Sequence, residues 1–301
     1  MQIAILGSGL IGTSWAALFL AYGHHVAMAD PRESAEAEAL PAIDAAWAGL
    51  ALLSDLGPLP TDRLTFHRSI AAACQGATFV QECGPDRLTI KHTMLAEAES
   101  ALAPEVIIAS STSSLMPSDI QAQMTHPARL LVAHPMNPPH LVPLVELVAG
   151  DKTAPDSVSQ ARIFYEAMAR VTVVALREEP GHIANRLTSA LYREAVHMVA
   201  SGIATVEDID KAVAWGPGLR WGIMGNMMLN HLGGGPGGIE HFFQQFTGPM
   251  TAWWKTLGSP VLTPEVQKKL IDSVHAEVGS RSVAELEAER DEILLGLLEL
   301  R

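Results

Sequence analysis

Apolar positions along this chain fall into short runs separated by longer amphipathic stretches, and the alternation predicts its elements. Gln2–Leu6 (QIAIL) is an apolar run read as a buried strand. Residues 13–22 (TSWAALFLAY) have helical composition and Gly23 closes them. His25–Ala29 (HVAMA) reads as a second strand ending at Asp30, which completes a βαβ unit. Residues 33–54 and 88–103 read as helices, and residues 78–83 (TFVQEC), 106–110 (VIIAS) and 130–133 (LLVA) as strands. Residues 143–148 (PLVELV) and 172–175 (TVVA) extend the series. From about residue 181 the period is helical, over 181–214, 265–277 and 283–300, and Gly233 to Gly238 (GGGPGG) reads as a loop. Strands alternating with helices and then helices alone predict an α/β chain. It has a doubly wound, mostly parallel Rossmann sheet over residues 1–180 and an all-helical domain over 181–301.

The turn after the first strand carries chemistry. In Gly7-Ser8-Gly9-Leu10-Ile11-Gly12, Gly7 permits the tight turn, Gly9 admits a pyrophosphate close to the backbone, and Gly12 lets helix and strand pack closely. The helix N-terminus, with Leu10 and Ile11 in its first turn, then presents free N–H groups to the phosphates. Glycine turns are common. A preceding strand, a following helix and an acidic residue at the next strand end make this one a dinucleotide site. Asp30, 18 residues after Gly12, is placed to accept hydrogen bonds from adenosine ribose hydroxyls and to repel a 2′-phosphate, which favours NAD over NADP. Arg32, close by, softens that preference.

Composition narrows the partners. The chain has 301 residues, 48% hydrophobic, enough for two domains with a sizeable core. Lys and Arg number 20 against 33 Asp and Glu, a net charge of −13 that repels nucleic-acid backbones. Two cysteines, Cys74 and Cys83, are too few for a disulfide framework. No apolar run reaches the roughly 18 residues of a membrane span. The chain starts directly on a strand, with no basic region leading into an apolar core and cleavage site, so a cytoplasmic protein is expected. No metal is assigned.

His134, in His134-Pro135-Met136-Asn137-Pro138, directly follows the strand read at 130–133, where side chains point into the ligand crevice. Glu146 lies 12 residues on inside an apolar run, where a lone carboxylate needs a partner. A reversal at Pro138-Pro139 would bring it onto His134, fixing one tautomer and stabilising the protonated ring. Such a pair suits removal of a proton from a substrate hydroxyl. A purely structural histidine fits the spacing equally well. Ser110 to Ser114 (SSTSS) follow another strand at the same sheet edge, as either a substrate-binding turn or an ordinary one. Asn185, in Gly181-His182-Ile183-Ala184-Asn185-Arg186, opens the helical domain.

Taken in order, the glycine turn, SSTSSL, HPMNP, PLVELV and PGHIANRL resemble the 3-hydroxyacyl-CoA dehydrogenase family over essentially the whole chain. The resemblance implies an NAD domain followed by a helical domain for substrate and dimerisation, and hence a homodimer. It implies that His134 is the catalytic base with Glu146 its partner. Ser113 and Asn185 would bind the substrate oxygen, Asn137 would lie near the nicotinamide, and Glu82 on the cofactor side. Pro135 and Met136 stand where the family carries two aromatics. Gly218-Leu219-Arg220-Trp221, HLGGG and the tail SVAELEAERDEILLGLL look most like the L-carnitine dehydrogenase branch. HPMNPP and PLVELV also resemble the lambda-crystallin or L-gulonate 3-dehydrogenase branch. Both branches act on small free 3-hydroxy acids.

Charge supports that shift. Residues 33–62, where the family contacts CoA, hold no Lys or Arg, and no lysine precedes Lys91. Carnitine would need a cation for its carboxylate, from Arg186, Arg193 or Arg220. It would also need an aromatic face for its trimethylammonium, from Trp221, Phe242, Phe243, Phe246, Trp253 or Trp254; each of these is equally a core or dimer-interface residue. The expected function is NAD-dependent oxidation of the 3-hydroxyl of a small acid, L-carnitine first. L-gulonate and 3-hydroxybutyryl-CoA are the alternatives, and a non-catalytic, crystallin-like NAD-binding protein stands behind them. The phosphogluconate-type hydroxyacid dehydrogenases, which use a lysine in the inter-domain helix, do not fit, because residues 180–196 contain none.

Overall fold

Period-two alternation buries the first strands on both faces. In β1 (Gln2–Leu6), Ile3 and Ile5 join one apolar layer, and Ala4 and Leu6 join the opposite one. Such two-sided burial is the mark of a parallel sheet covered by helices. The computed structural model describes residues 1–300. After β1 come α1 (Leu10–Ala21), β2 (His25–Ala29), α2 (Ala35–Leu53), β3 (Leu64–His67), α3 (Ile70–Cys74), β4 (Phe79–Glu82) and α4 (Leu88–Glu99). Next in the chain are β5 (Ile107–Ser110), α5 (Pro117–Gln121), β6 (Leu130–Pro135), β7 (Leu144–Ala149), α6 (Pro155–Glu166) and β8 (Val171–Ala175). The remaining elements are helical: α7 (Ala184–Ala200), α8 (Val206–Trp215), α9 (Pro217–Trp221), α10 (Asn226–Gly233), α11 (Gly238–Trp254), α12 (Pro264–Val278) and α13 (Val283–Leu298).

Among the described residues the sheet has eight strands in the order β3-β2-β1-β4-β5-β6-β7-β8. Every neighbouring pair is parallel except β6 with β7. The strand order reverses between β1 and β4, and a crevice opens at such a point beyond the strands' C-terminal ends. On one face α1 drives Trp15 and Phe19, stacked at 5.3 Å, into a core shared with Phe79 and Tyr165. Truncating either aromatic to alanine would cost about 3–5 kcal/mol.

Met1–Arg186 and the chain from Glu287 onward form one compact unit, and Leu187–Leu286 another. The second unit has a small core around Val199, Val206 and Ile209 and exposes large apolar side chains such as Trp215, Met227, Trp253 and Trp254. Among the described residues no helix is long and apolar enough to cross a membrane.

Three local readings change. β6 runs on to Pro135, so His134 lies within the strand rather than after it. β3 and α3 are additional elements between α2 and β4. The run Gly233 to Gly238 is not a loop: Gly233 ends α10, Gly235–Gly237 is one 3₁₀ turn, and Gly238 starts α11. The physical reason is close backbone approach. A Cβ on Gly234 would lie 1.7 Å from the Gly238 carbonyl oxygen.

Candidate active site

The glycine turn is built as its sequence demands. Gly7 has φ +109°, and a Cβ there would sit 2.7 Å from the Cys83 carbonyl oxygen. A Cβ on Gly12 would lie 2.0 Å from the Gly7 oxygen, whereas one on Gly9 meets nothing within 4 Å. Gly9 caps α1 with no side-chain hydrogen bond, so the first backbone N–H groups remain available to an anion. Leu10 is exposed at this turn. Asp30 stands at the end of β2, where its carboxylate accepts from Ser8 Oγ at 2.8 Å and from Arg32 Nε at 3.1 Å. Burial raises its pKa, but the bonds from Arg32 and Ser8 outweigh burial and hold it below the usual carboxylate range. A cavity of about 250 Å³ beside it, lined by Asp30, Arg32, Phe66 and His67 among others, has room for part of a nucleoside. Helix end, open backbone and acidic strand terminus together fit a dinucleotide.

His134 and Glu146 meet because they are directly opposite on the antiparallel β6–β7 ladder. Opposed residues on such a ladder have Cβ atoms about 5 Å apart. Their side chains bond at 2.7 Å between Nδ1 and Oε2, with His134 6% and Glu146 0% exposed. The other carboxylate oxygen accepts from the Ile183 and Ala184 amides, both at 2.8 Å. Burial raises the Glu146 pKa, and the bonds from His134, Ala184 and Ile183 more than offset it, so the group is held ionised. A carboxylate only accepts, so His134 Nδ1 donates and Nε2 carries the lone pair.

A cavity of about 400 Å³ lies in front of this ring, lined by Ile11, Asp86, Ser113, His134, Asn137 and Asn185 among others. The structure thus gathers five of the residues singled out in sequence: Ile11, Ser113, His134, Asn137 and Asn185. Glu82 does not line the cavity. Its carboxylate is fully buried, bonded to Lys91 Nζ at 2.7 Å, Ser110 Oγ at 2.5 Å and the Gly84 amide at 2.6 Å. Arg186 is exposed and donates to the Pro180 carbonyl at 3.3 Å. Arg193, Arg220, Trp221 and the other candidate aromatics belong to the second unit. There Trp221 Nε1 donates to Asn226 Oδ1 at 3.3 Å, and Phe242 stacks on Phe246 at 5.0 Å.

Three residues at the site were not singled out in sequence. Asp86 accepts from Ser113 Oγ and lines the cavity. Lys91, fully buried, bridges Glu82 and Asp86. His182, 3% exposed, donates from Nε2 to the Thr112 carbonyl at 3.2 Å, with its ring centre 5.3 Å from that of His134. Burial pulls its pKa down. An acidic residue followed five positions later by a lysine was the available signal for the first two; for His182 it was the glycine before it. Cys83 also borders the cavity, and burial pushes its thiol up to about 12, which keeps it from acting as a thiolate. Among the described residues no three His, Cys, Asp or Glu side chains converge as a metal site.

A family described as 3-hydroxyacyl-CoA dehydrogenase, NAD binding domain, matches residues 2–179, and its C-terminal domain matches residues 181–286. An L-carnitine dehydrogenase of Streptomyces coelicolor is 43% identical over 290 residues, covering 96% of this chain and 91% of its own. Another, from Oceanobacillus iheyensis, is 40% identical over 299 residues, covering 99% and 97%. The crystal structure of 5-formyl-3-hydroxy-2-methylpyridine 4-carboxylic acid 5-dehydrogenase, an NAD⁺-dependent dismutase, matches with a TM-score of 0.85 at 27% identity, covering 99% of this chain and 97% of that one. With a glycine turn and acidic strand end that fit the cofactor, this chain belongs to the 3-hydroxyacyl-CoA dehydrogenase family and is an NAD-dependent dehydrogenase.

Proposed function

We propose that the chain oxidises the 3-hydroxyl of L-carnitine to 3-dehydrocarnitine, with His134 and Glu146 as its acid/base pair. The observation that carries the chemistry is the 2.7 Å bond from His134 Nδ1 to a fully buried carboxylate, which leaves Nε2 basic toward the cavity. His134 Nε2 takes the hydroxyl proton, and Glu146 stabilises the resulting imidazolium. Ser113 and Asn185, on the cavity wall, hold the substrate oxygen as the C3–H bond breaks and the C3=O double bond forms. The Gly7–Gly12 turn and Asp30 would hold NAD, which when bound would supply the hydride acceptor, and Asn137, on the cavity wall, would face its nicotinamide.

The choice of substrate is supported by relatives named L-carnitine dehydrogenase at 43% and 40% identity over nearly the whole chain. It is also supported by residues 33–62, the stretch where the family resemblance places CoA, which hold no Lys or Arg to meet its phosphates. In this reading residues 1–180 carry the cofactor, and residues 181–301 contribute substrate contacts and a homodimer interface. The exposed apolar side chains of the second unit support that interface. The test is the initial rate of NADH formation with L-carnitine, L-gulonate, L-3-hydroxybutyrate and 3-hydroxybutyryl-CoA. Preference for L-carnitine is expected. Preference for the CoA ester would overturn the substrate assignment.

A further inference from the structure

We infer that Asp86 is a positioning residue for Ser113, anchored from behind by the buried Lys91–Glu82 ion pair. One oxygen of Asp86, Oδ2, stands among three donors of the serine turn: Ser113 N at 3.3 Å, Ser113 Oγ at 3.3 Å and Ser114 Oγ at 3.1 Å. The other, Oδ1, faces Lys91 Nζ at 3.5 Å. Lys91 is 0% exposed and bonds both oxygens of Glu82, at 2.8 and 2.7 Å, as well as the Gly84 carbonyl at 3.1 Å. Strand register explains the convergence, because Glu82 and Ser110 lie side by side at the ends of β4 and β5 and the two following turns share one edge.

The polarity of these bonds matters for catalysis. A carboxylate only accepts, so the Ser113 hydroxyl proton points at Asp86 and its lone pairs remain for the cavity. At 3.3 Å that hydroxyl bond is weak, well beyond the usual O–H···O distance of about 2.8 Å. An oxygen gaining negative charge on the substrate competes for the same proton. When the hydroxyl swings to it, Asp86 still holds the Ser113 amide and the Ser114 hydroxyl, so the turn keeps its place. Asp86 therefore acts through Ser113 and does not itself touch the reacting atoms. Burial raises the Asp86 pKa, but the bond from the Thr112 side chain, the charge of Lys91 and the bonds from Ser113 and Ser114 outweigh it and hold the carboxylate below its ordinary range, while Lys91 also pairs with Glu82 behind it. Replacing Asp86 by a neutral isostere leaves Lys91 paired with Glu82, so the fold survives the test.

This inference rests on the reading of Ser113 as a substrate-side residue, not on which hydroxy acid is bound. The experiment is a double-mutant cycle in kcat/KM with Ser113→Ala, Asp86→Asn and the pair, using the preferred substrate of the panel, with melting temperature measured for each. We expect each single variant to lose roughly tenfold or more, the scale of a hydrogen bond involving a charged group. The double variant should lose no more than Ser113→Ala alone, and Asp86→Glu should recover part of the Asp86→Asn loss. Losses that multiply in the double variant would overturn the positioning role while leaving Ser113 in the site. Wild-type kcat/KM in Ser113→Ala would overturn both the inference and the reading it rests on.

Discussion

Replacing Glu146 by glutamine is the sharpest perturbation of the proposed pair. The change is isosteric, and the neighbouring donors decide how the new amide sits. The Ile183 and Ala184 amides, each 2.8 Å from Oε1, can only donate, so the oxygen of the introduced amide turns to them. Its NH₂ group then faces His134 Nδ1 across the 2.7 Å now bridged by a carboxylate. A donor facing Nδ1 forces the proton of the neutral imidazole onto Nε2, the atom that must receive the substrate proton. The imidazolium also loses its counter-charge, worth about 1.5–3 kcal/mol for a charge-assisted bond. Together these remove most of what positioned acid/base catalysis contributes, about 10²- to 10⁴-fold. Initial rates of NADH formation should fall by that amount in kcat/KM, with NAD affinity and melting temperature close to wild type. A Glu146→Gln variant with intact fold and wild-type kcat/KM would refute the reasoning.

Other expectations come from the same geometry. Gly9→Ala should fold normally and bind NAD more weakly, because its Cβ meets open space, whereas Gly12→Ala should lower the melting temperature as well, its Cβ lying 2.0 Å from a backbone oxygen. Equal effects of the two in thermal melts and NAD titrations would contradict this. Asp30→Ala should raise KM for NAD roughly tenfold with little change in kcat, the loss expected of hydrogen bonds to a charged acceptor; an unchanged KM would remove Asp30 from the ribose site. Burial holds His140, whose Nδ1 is hydrogen-bonded with Ser14 Oγ at 2.8 Å, at about 4 rather than 6.5. The unfolded chain therefore takes up this proton first as pH falls. The stabilisation is complete above pH 6.5 and is lost toward pH 4, by up to about 3 kcal/mol. Glu146, depressed below its ordinary 4.5, adds a further loss on the acid side. Melting temperature against pH should show this decline, and His140→Gln should flatten the stretch between pH 6.5 and 4; an unchanged slope would contradict it.

Much of this was legible in the chain, for identifiable reasons. Strands β1 and β2 are apolar runs punctuated by glycine and aspartate, and composition alone marks them. The glycine turn was readable because each glycine answers a steric demand that the structure reproduces at Gly7 and Gly12. The meeting of His134 and Glu146 was inferable from the cost of burying a lone carboxylate and from a reversal at Pro138-Pro139, which the antiparallel β6–β7 pairing realises; the register that sets the two side chains directly opposite was not, because it leaves no trace in periodicity. β3 (LTFH) escaped notice because it is short and half-polar at the sheet edge. The run Gly233 to Gly238 reads as a loop by composition, yet Gly234 serves close backbone approach at the join of two helices, where a Cβ would lie 1.7 Å from the Gly238 oxygen. Asp86 and Lys91 act through contacts across turns far apart in sequence, and His182 through a ring turned inward by positive φ at Gly181 (+77°) and at His182 itself (+50°). Neither kind of contact has a linear signature.

The most direct test of the central claim pairs two readings on the same preparations of wild-type protein and His134→Ala: NADH formation from L-carnitine, and NAD binding by titration. If His134 is the base beside a cofactor site formed by other residues, the variant loses about 10²-fold or more in rate and binds NAD as the wild type does. A variant that oxidises L-carnitine at the wild-type rate would contradict the assignment.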